Sequence, residues 1–379
     1  METQRDHYLL ILLLPLLASA CAGCVYEHLH SEMDVPEFKA MKAMADARPQ
    51  RTVRVPVRLA GGRTIRIALH ESGPADADRV IVMIHGVLSN GEMWRFVRGD
   101  LSADHRLIVV DLPGSGHSDA PEPRDLGPDG YAPATLCHVV LEALSQRLAQ
   151  TPPAEHITLV GHSLGGLLVV RMLGNEQLRA RHANVLDRVD GSVLFTPIDV
   201  AVEKEPAAFR AIVDVTDMQV AIAVASGLLR QKVAEGIVSG VSDPADATRE
   251  EADRVYRILA TASTRHAHQS MLLHAVPWSN GRPIWWGIER LVRCYDRVQP
   301  PCLIVWGARD ELFSQSMGYK LVQQIPQARL RIVPRGMHSL PTECPSTCAV
   351  LIRQFLAGID QSPQIALVAD NASGSAAGW

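Results

Sequence analysis

The chain has 379 residues, 47% of them hydrophobic and 21% charged, with a formal net charge of -4 at pH 7. That balance belongs to a globular chain, long enough for one large α/β domain with an insertion or for two domains. The slight acidity and the lack of any long basic run or basic–aromatic patch exclude the electrostatic footprint of a nucleic-acid binder, and no repeat of fixed period runs through the chain.

The N-terminus reads as a processing segment. Arg5 precedes the apolar run Tyr8 to Leu17, and Ala18-Ser19-Ala20 follows. A positive start, an apolar stretch too short to span a bilayer comfortably and small residues at a cleavage point predict a signal peptide over residues 1–20. Leu17-Ala18-Ser19-Ala20-Cys21 resembles the lipobox of bacterial lipoproteins. That resemblance implies lipidation of Cys21 and a membrane anchor, with the protein in the bacterial cell envelope, facing the periplasm or the exterior. Cys24 fits the pattern less well. An ordinary signal peptide cut before Cys21 gives the same exported chain without lipid. Residues 21–50 read as an arm, partly helical around Phe38 to Met44.

Strand signals then begin. Thr52 to Val57 and Thr64 to His70 alternate across a Gly61-Gly62 turn, as antiparallel strands at a sheet edge do. Arg79 to His85 is apolar almost throughout and reads as a buried strand. A helix follows from about Gly91 to Leu101. The strand Arg106 to Asp111 runs into the glycine-rich loop Leu112 to Asp119. A helix over about Pro133 to Ala149 leads to the strand His156 to Val160. Later strands are Arg188 to Phe195, Cys302 to Trp306 and Ala328 to Val333, and a last helix runs from about Pro345 to Ala357. Strands alternating with helices predict a mostly parallel central sheet covered on both faces.

Between Thr196 and Val298 the rhythm stops. Apolar periodicity runs from Phe209 to Ile237, and a second helical stretch covers about Thr248 to Thr264. Inserted after the sixth strand, on the side where ligands bind in open α/β sheets, residues 197–298 read as a helical cap. The core is then 51–196 and 299–358, and 359–379 reads as a disordered tail. Beyond Cys21 and Cys24 the cysteines are Cys137, Cys294, Cys302, Cys344 and Cys348, taken as buried thiols; pairing of Cys344 with Cys348, or of Cys294 with Cys302, is the alternative. No cysteine–histidine cluster has zinc spacing, so no metal is expected.

Gly161-His162-Ser163-Leu164-Gly165 follows the fifth strand and opens the apolar run Gly166 to Leu173, which reads as a buried helix. A serine on such a sharp strand-to-helix turn points its hydroxyl out of the sheet. The glycines keep side chains out of the turn, and the helix N-terminus favours developing negative charge. A serine nucleophile needs a base and a group that orients the base. Asp310, after the strand ending at Trp306, and His338, after the last strand, are the candidates. Glu311 and Asp199 are alternatives for the acid. His85 is expected to brace its loop, His162 to be structural or pocket-lining, Asp111 and His117 to hold the loop after the fourth strand, and Trp278, Trp285 and Trp286 to pack.

These pieces resemble the α/β-hydrolase superfamily from about Val53 to Gly358: His85-Gly86, Asp111 to Ser118, Gly161 to Gly166, Gly307 to Asp310 and Gly336 to His338, in that order. The resemblance implies an α/β-hydrolase fold. It implies Ser163 as nucleophile, His338 as general base then acid, and Asp310 as the orienting carboxylate. It also implies an oxyanion hole from the backbone N–H groups of Val87 and Leu164. No cofactor is required; the partner is a small-molecule substrate, expected to be a carboxylic ester with a hydrophobic part. Carbon–carbon bond hydrolases and perhydrolases share the triad and remain alternatives. Haloalkane dehalogenases and epoxide hydrolases of this fold carry aspartate at the elbow, where this chain has Ser163. A non-catalytic envelope binding protein that kept the fold is the alternative of another class.

Overall fold

Alternate residues of a strand face opposite sides of its sheet, and in the centre of this protein both sides are apolar. In β3 (Arg79–Ile84), Val80, Val82 and Ile84 enter one core while Ile81 and Met83 enter the other. β4 (Arg106–Val110) divides in the same way, with Ile108 and Val110 against Leu107 and Val109. Such strands are stable only with helices on both faces. Each fully buried Leu, Ile or Val side chain stabilises the fold by about 1.5–3 kcal/mol.

The computed structural model describes residues 25–59, 61–198, 206–276, 278–279, 282–283, 294–358 and 365–368. The expected signal peptide, Cys21, Asp199, Trp285 and Trp286 lie outside the described residues, and the side chain of Trp278 is not described. The remaining strands of the main sheet are β1 (Gln50–Arg58), β2 (Thr64–Ser72), β5 (His156–His162), β6 (Val189–Phe195), β7 (Cys302–Gly307), β8 (Ala328–Val333) and β9 (Ile365–Leu367). Their spatial order is β1-β2-β4-β3-β5-β6-β7-β8-β9. β1 pairs antiparallel with β2, and β2 with β4; the other pairings are parallel. β1 is the exposed edge, and its Pro56 is tolerated there because an edge strand needs only half its donors.

One face of the sheet is covered by α3 (Pro133–Leu148), α4 (Leu164–Gly174) and α10 (Ser316–Gln324), the other by α2 (Arg95–Leu101) and α11 (Pro345–Leu356). The chain leaves β3 toward β4 and returns past β3 to β5, so strand order reverses between β3 and β5. The crevice at the C-terminal ends of those strands is where ligands bind in such sheets.

Among the described residues, five α-helices lie between β6 and β7: α5 (Ala207–Asp214), α6 (Asp217–Ala225), α7 (Leu228–Ser239), α8 (Arg249–Ala260) and α9 (Ala262–Ala275). The single helix expected over Thr248 to Thr264 is two, broken at Thr261, whose φ of -92° and ψ of 123° are extended. Periodicity survives a one-residue break, so the pattern alone does not reveal it.

Two terminal segments depart from expectation. α1 (Pro36–Asp46) is the helix expected in the arm, but it is packed on α2, with Phe38 stacked on Phe96 at 5.3 Å. Just before it, Tyr26 donates to Asp253 at 2.9 Å, and the Arg230 guanidinium lies over both Tyr26 and Tyr256. The arm is thus bonded to cap and core alike. The tail expected to be disordered contributes β9, parallel to β8, with Val368 N–H donating to Ile332 O at 2.7 Å. Its short apolar run Ile365-Ala366-Leu367 is too brief to register as a strand until an open sheet edge is available to it. Cys137, Cys302, Cys344 and Cys348 are free thiols, and burial pushes Cys137, Cys302 and Cys344 up to about 12.

Candidate active site

Ser163 stands between β5 and α4 with φ +51°. Leu88 and Thr196 are the other non-glycine residues with positive φ among those described, at +56° and +39°. All three lie at the C-terminal ends of neighbouring strands β3, β5 and β6. Strained backbone of this kind costs on the order of 1–3 kcal/mol per residue and persists only where the surroundings over-determine it. Here the turn is tied to β6: Ser163 N–H donates to Phe195 O and Ile198 N–H to Ser163 O, both at 3.0 Å. The elbow glycines are dictated by close approach. A Cβ on Gly161 would lie 2.5 Å from Gly165 O, and one on Gly165 would lie 2.2 Å from Ile84 O.

The structure brings the three distant candidates into one row. Ser163 Oγ is 3.1 Å from His338 Nε2, and His338 Nδ1 is 2.9 Å from Asp310 Oδ2. Asp310 Oδ1 accepts the Leu312 and Phe313 amides at 2.9 and 2.8 Å. With one carboxylate oxygen saturated by N–H donors, the other is left to accept the hydrogen bond of His338 Nδ1–H. That sets the tautomer, leaving Nε2 able to accept the serine proton. The backbones that carry these groups are themselves joined, with Arg309 N–H donating to Gly336 O at 2.9 Å.

Several supports were not legible in the sequence. The His338 carbonyl accepts Thr196 Oγ1–H at 2.8 Å and is 2.9 Å from His162 Nε2, so its acceptance of that N–H places the His162 proton on Nε2. Glu343 accepts Met337 N–H at 2.8 Å and the cap's Ser242 N–H at 2.7 Å. Phe313 stands edge-on to the His338 ring at 5.2 Å, and Phe209 of α5 stands edge-on to Phe313 at 5.8 Å. Thr196 and Glu343 belong to no motif; they are found only when the loops are placed together. Ser163 itself is 5% exposed.

Leu164 opens α4, where first-turn amides have no intrahelical acceptor. Val87 N–H meets no acceptor among the described residues. A Cβ on Gly86 would lie 2.9 Å from Ser163 Cβ, so this loop lies directly against the Ser163 turn. His85 holds it. Leu112 N–H donates to His85 Nε2 at 3.0 Å, which puts the proton on Nδ1, 2.7 Å from Gly86 O. Carbonyl and N–H point in opposite directions across a trans peptide. Holding Gly86 O therefore directs Val87 N–H the other way.

Asp111 accepts Gly91 N–H and His117 N–H, both at 2.7 Å, and is 2.8 Å from His70 Nε2. Burial opposes its charge, but these partners outweigh burial and hold its carboxyl below the ordinary range. His70, Asp111 and His117 are near enough to share a cation, but these bonds, with Thr52 Oγ1 at 2.9 Å from His70 Nδ1, already account for the grouping. A second group, Asp78, Glu155 and His156, lies at the opposite ends of the strands.

Burial lowers His162 from its ordinary 6.5 to about 3, with the neighbouring His338 adding to the effect. The folded protein thus refuses a proton that the unfolded chain accepts. The corresponding stability is intact above pH 6.5 and is lost as pH falls toward 3. Between pH 6.5 and 4, wild-type stability is expected to fall more steeply than that of His162→Gln, by about 1.4 kcal/mol per pH unit. Urea titrations of both proteins at each pH give the difference, which cancels groups of opposite sign such as Asp246, raised by burial to about 6. Parallel pH profiles would mean that the His162 ring protonates freely in the fold.

The alpha/beta hydrolase family model matches residues 81–350, from β3 into α11. "Epoxide hydrolase 2" of Caenorhabditis elegans is 22% identical over 302 residues, 78% of this chain and 78% of its own. The pimeloyl-(acyl-carrier protein) methyl ester esterase of Vibrio atlanticus is 38% identical over 93 residues, 24% of this chain and 30% of its own. Among solved structures, an esterase from a Rhodococcus species superposes with a TM-score of 0.58 at 23% identity, covering 81% of this chain and 98% of that one. A carboxylesterase from Bacillus subtilis gives a TM-score of 0.56 at 21% identity, covering 85% and 97%. At these identities the structural likeness is one of fold.

Proposed function

Because the chain belongs to the alpha/beta hydrolase family and is a hydrolase, we propose that it cleaves a carboxylic ester of a small, partly hydrophobic substrate through an acyl-enzyme on Ser163. The observation that carries this reading is the unbroken row from Ser163 Oγ through His338 to Asp310. His338 Nε2 takes the hydroxyl proton as Ser163 Oγ attacks the ester carbon. The carbonyl oxygen becomes an oxyanion facing the Val87 and Leu164 amides; one such donor is typically worth about 3–4 kcal/mol in the transition state. His338 then protonates the leaving alkoxide as the carbon–oxygen bond breaks. A water, deprotonated by the same ring, attacks the acyl-enzyme, and return of the proton to Ser163 Oγ frees the acid. Asp310 stays ionised throughout and stabilises the imidazolium.

Ser163 in place of an elbow aspartate argues against epoxide opening, although the C. elegans relative of similar length is named for it. The Vibrio relative, named for a methyl ester, favours an oxygen ester. Phe313 beside His338, with Phe209 against Phe313, favours an apolar group on the substrate, since pockets are mostly apolar with a few placed polar groups.

A fluorophosphonate probe, read by intact-protein mass and peptide mapping, tests the nucleophile. Wild-type protein is expected to take one label at Ser163, and Ser163→Ala none. Folded wild-type protein that stays unlabelled and hydrolyses no member of a graded series of chromogenic esters would favour the non-catalytic binding reading instead.

A further inference from the structure

His268 lies on the cap helix α9 and is fully buried, although it belongs to none of the motifs that frame the site. Its Nδ1 accepts Leu88 N–H at 3.0 Å. Because a backbone amide only donates, that nitrogen carries no proton, and the proton sits on Nε2, 3.1 Å from Ser115 Oγ in the loop after β4. Burial lowers the ring from 6.5 to about 3, so it stays neutral and its acceptor nitrogen stays available. The residues around it seat α9 firmly. A Cβ on Gly114 would lie 2.4 Å from Ala267 Cβ, and Ser270 Oγ accepts Tyr131 N–H at 3.2 Å.

Two successive peptides are therefore held by two histidines from different layers. His85, from the core, holds the Gly86–Val87 peptide through Gly86 O. His268, from the cap, holds the Val87–Leu88 peptide through Leu88 N–H. Leu88 is also one of the three left-handed non-glycine residues, a conformation that relaxes unless something holds it. Between the two grips lies the Val87 amide. We propose that His268 is a positioning residue: it fixes the peptide that follows Val87, so the oxyanion-binding amide is correctly aimed only when the cap helix is seated. Cap docking and transition-state stabilisation are thereby one event, and an unseated cap leaves the Ser163–His338–Asp310 row present but poorly supported on the oxyanion side.

The inference rests on the serine-hydrolase reading of the site, and its test separates the two. His268→Asn places an amide oxygen where Nδ1 stands and keeps an acceptor for Leu88 N–H. His268→Gln carries its amide out to the Nε2 position, toward Ser115, and leaves Leu88 without an acceptor. With the best ester of a chromogenic series, His268→Gln is expected to lower kcat by about 10–100-fold with KM within about threefold of wild type, the mark of an interaction made in the transition state. His268→Asn is expected to stay within about threefold of wild-type kcat, as the oxyanion donor it supports remains aimed. A merely structural role would lower thermal stability in both variants without this split.

Equal kcat in the two variants, or a loss confined to KM, overturns the assignment of His268 while leaving the Ser163 chemistry standing. A folded wild-type protein that neither turns over esters nor takes fluorophosphonate overturns the reading of the site, and this inference with it.

Discussion

Ester turnover by the Ser163→Ala protein is expected to fall roughly 10⁴–10⁶-fold below wild type, because members of a catalytic triad act as a unit. The hydroxyl that forms the acyl bond is gone, and neither His162 nor Leu164 beside it offers another. What survives is direct attack by water on an ester held near the Val87 and Leu164 amides. The fold should be indifferent. Alanine keeps the Cβ, so the strain at φ +51° is the same, and the bonds that hold the elbow use backbone atoms of residue 163. Thermal unfolding followed alongside kcat checks both halves of the statement. A loss below about tenfold in a folded variant would remove Ser163 from the chemistry.

Asp310→Asn is the second large effect, expected to lower kcat by about 10⁴-fold with little change in packing. The reason is the asymmetry of the carboxylate's partners. Oδ1 takes two backbone N–H groups, from Leu312 and Phe313. An asparagine that turned its NH2 toward them would face donor with donor, so its carbonyl oxygen stays there and its NH2 points at His338. The ring must then accept at Nδ1 and carry its proton on Nε2. In that tautomer it is unable to take the proton of Ser163 Oγ, 3.1 Å away. The same exchange at Asp199, the other carboxylate that the sequence offers, is expected to cost under about tenfold, as at a position outside the triad. Single-turnover acylation rates for both variants decide between them. A larger loss at Asp199 would reassign the acid.

Much of this site could be read before any coordinates. The serine was legible because its chemistry demands a local pattern: a strand, a turn too tight for side chains at positions 161 and 165, then a helix N-terminus. Asp310 and His338 were legible by a different logic, as a carboxylate and a histidine each sitting just past a buried strand. His85 and Asp111 also read as loop braces, and the bonds to Gly86 O, Leu112 N–H, Gly91 N–H and His117 N–H show what they brace. By contrast, nothing around His268, Thr196 or Glu343 announces a role. His268, among polar neighbours in α9, carries no signal until Leu88 N–H is found 3.0 Å from it. The break at Thr261 and the edge strand Ile365–Leu367 escaped for a related reason. Each is decided by what the neighbouring layer offers and leaves no trace in the local period.

The sequence by itself determined the strand-and-helix alternation, the two apolar faces of the sheet, the elbow and the three side chains that the fold brings into one row. Those features depend on periodicity and turn sterics, which act over a few residues and are written locally. Only the tertiary structure decided which peptide planes face the serine, which tautomers the buried histidines carry and how the cap and the N-terminal arm are fastened to the core. Those depend on donors and acceptors that different elements bring together, some of them more than 100 residues apart in the chain, such as His268 and Leu88. Removing such groups from water makes pairing them strongly favourable, and most of those pairings exist only once the whole chain is folded.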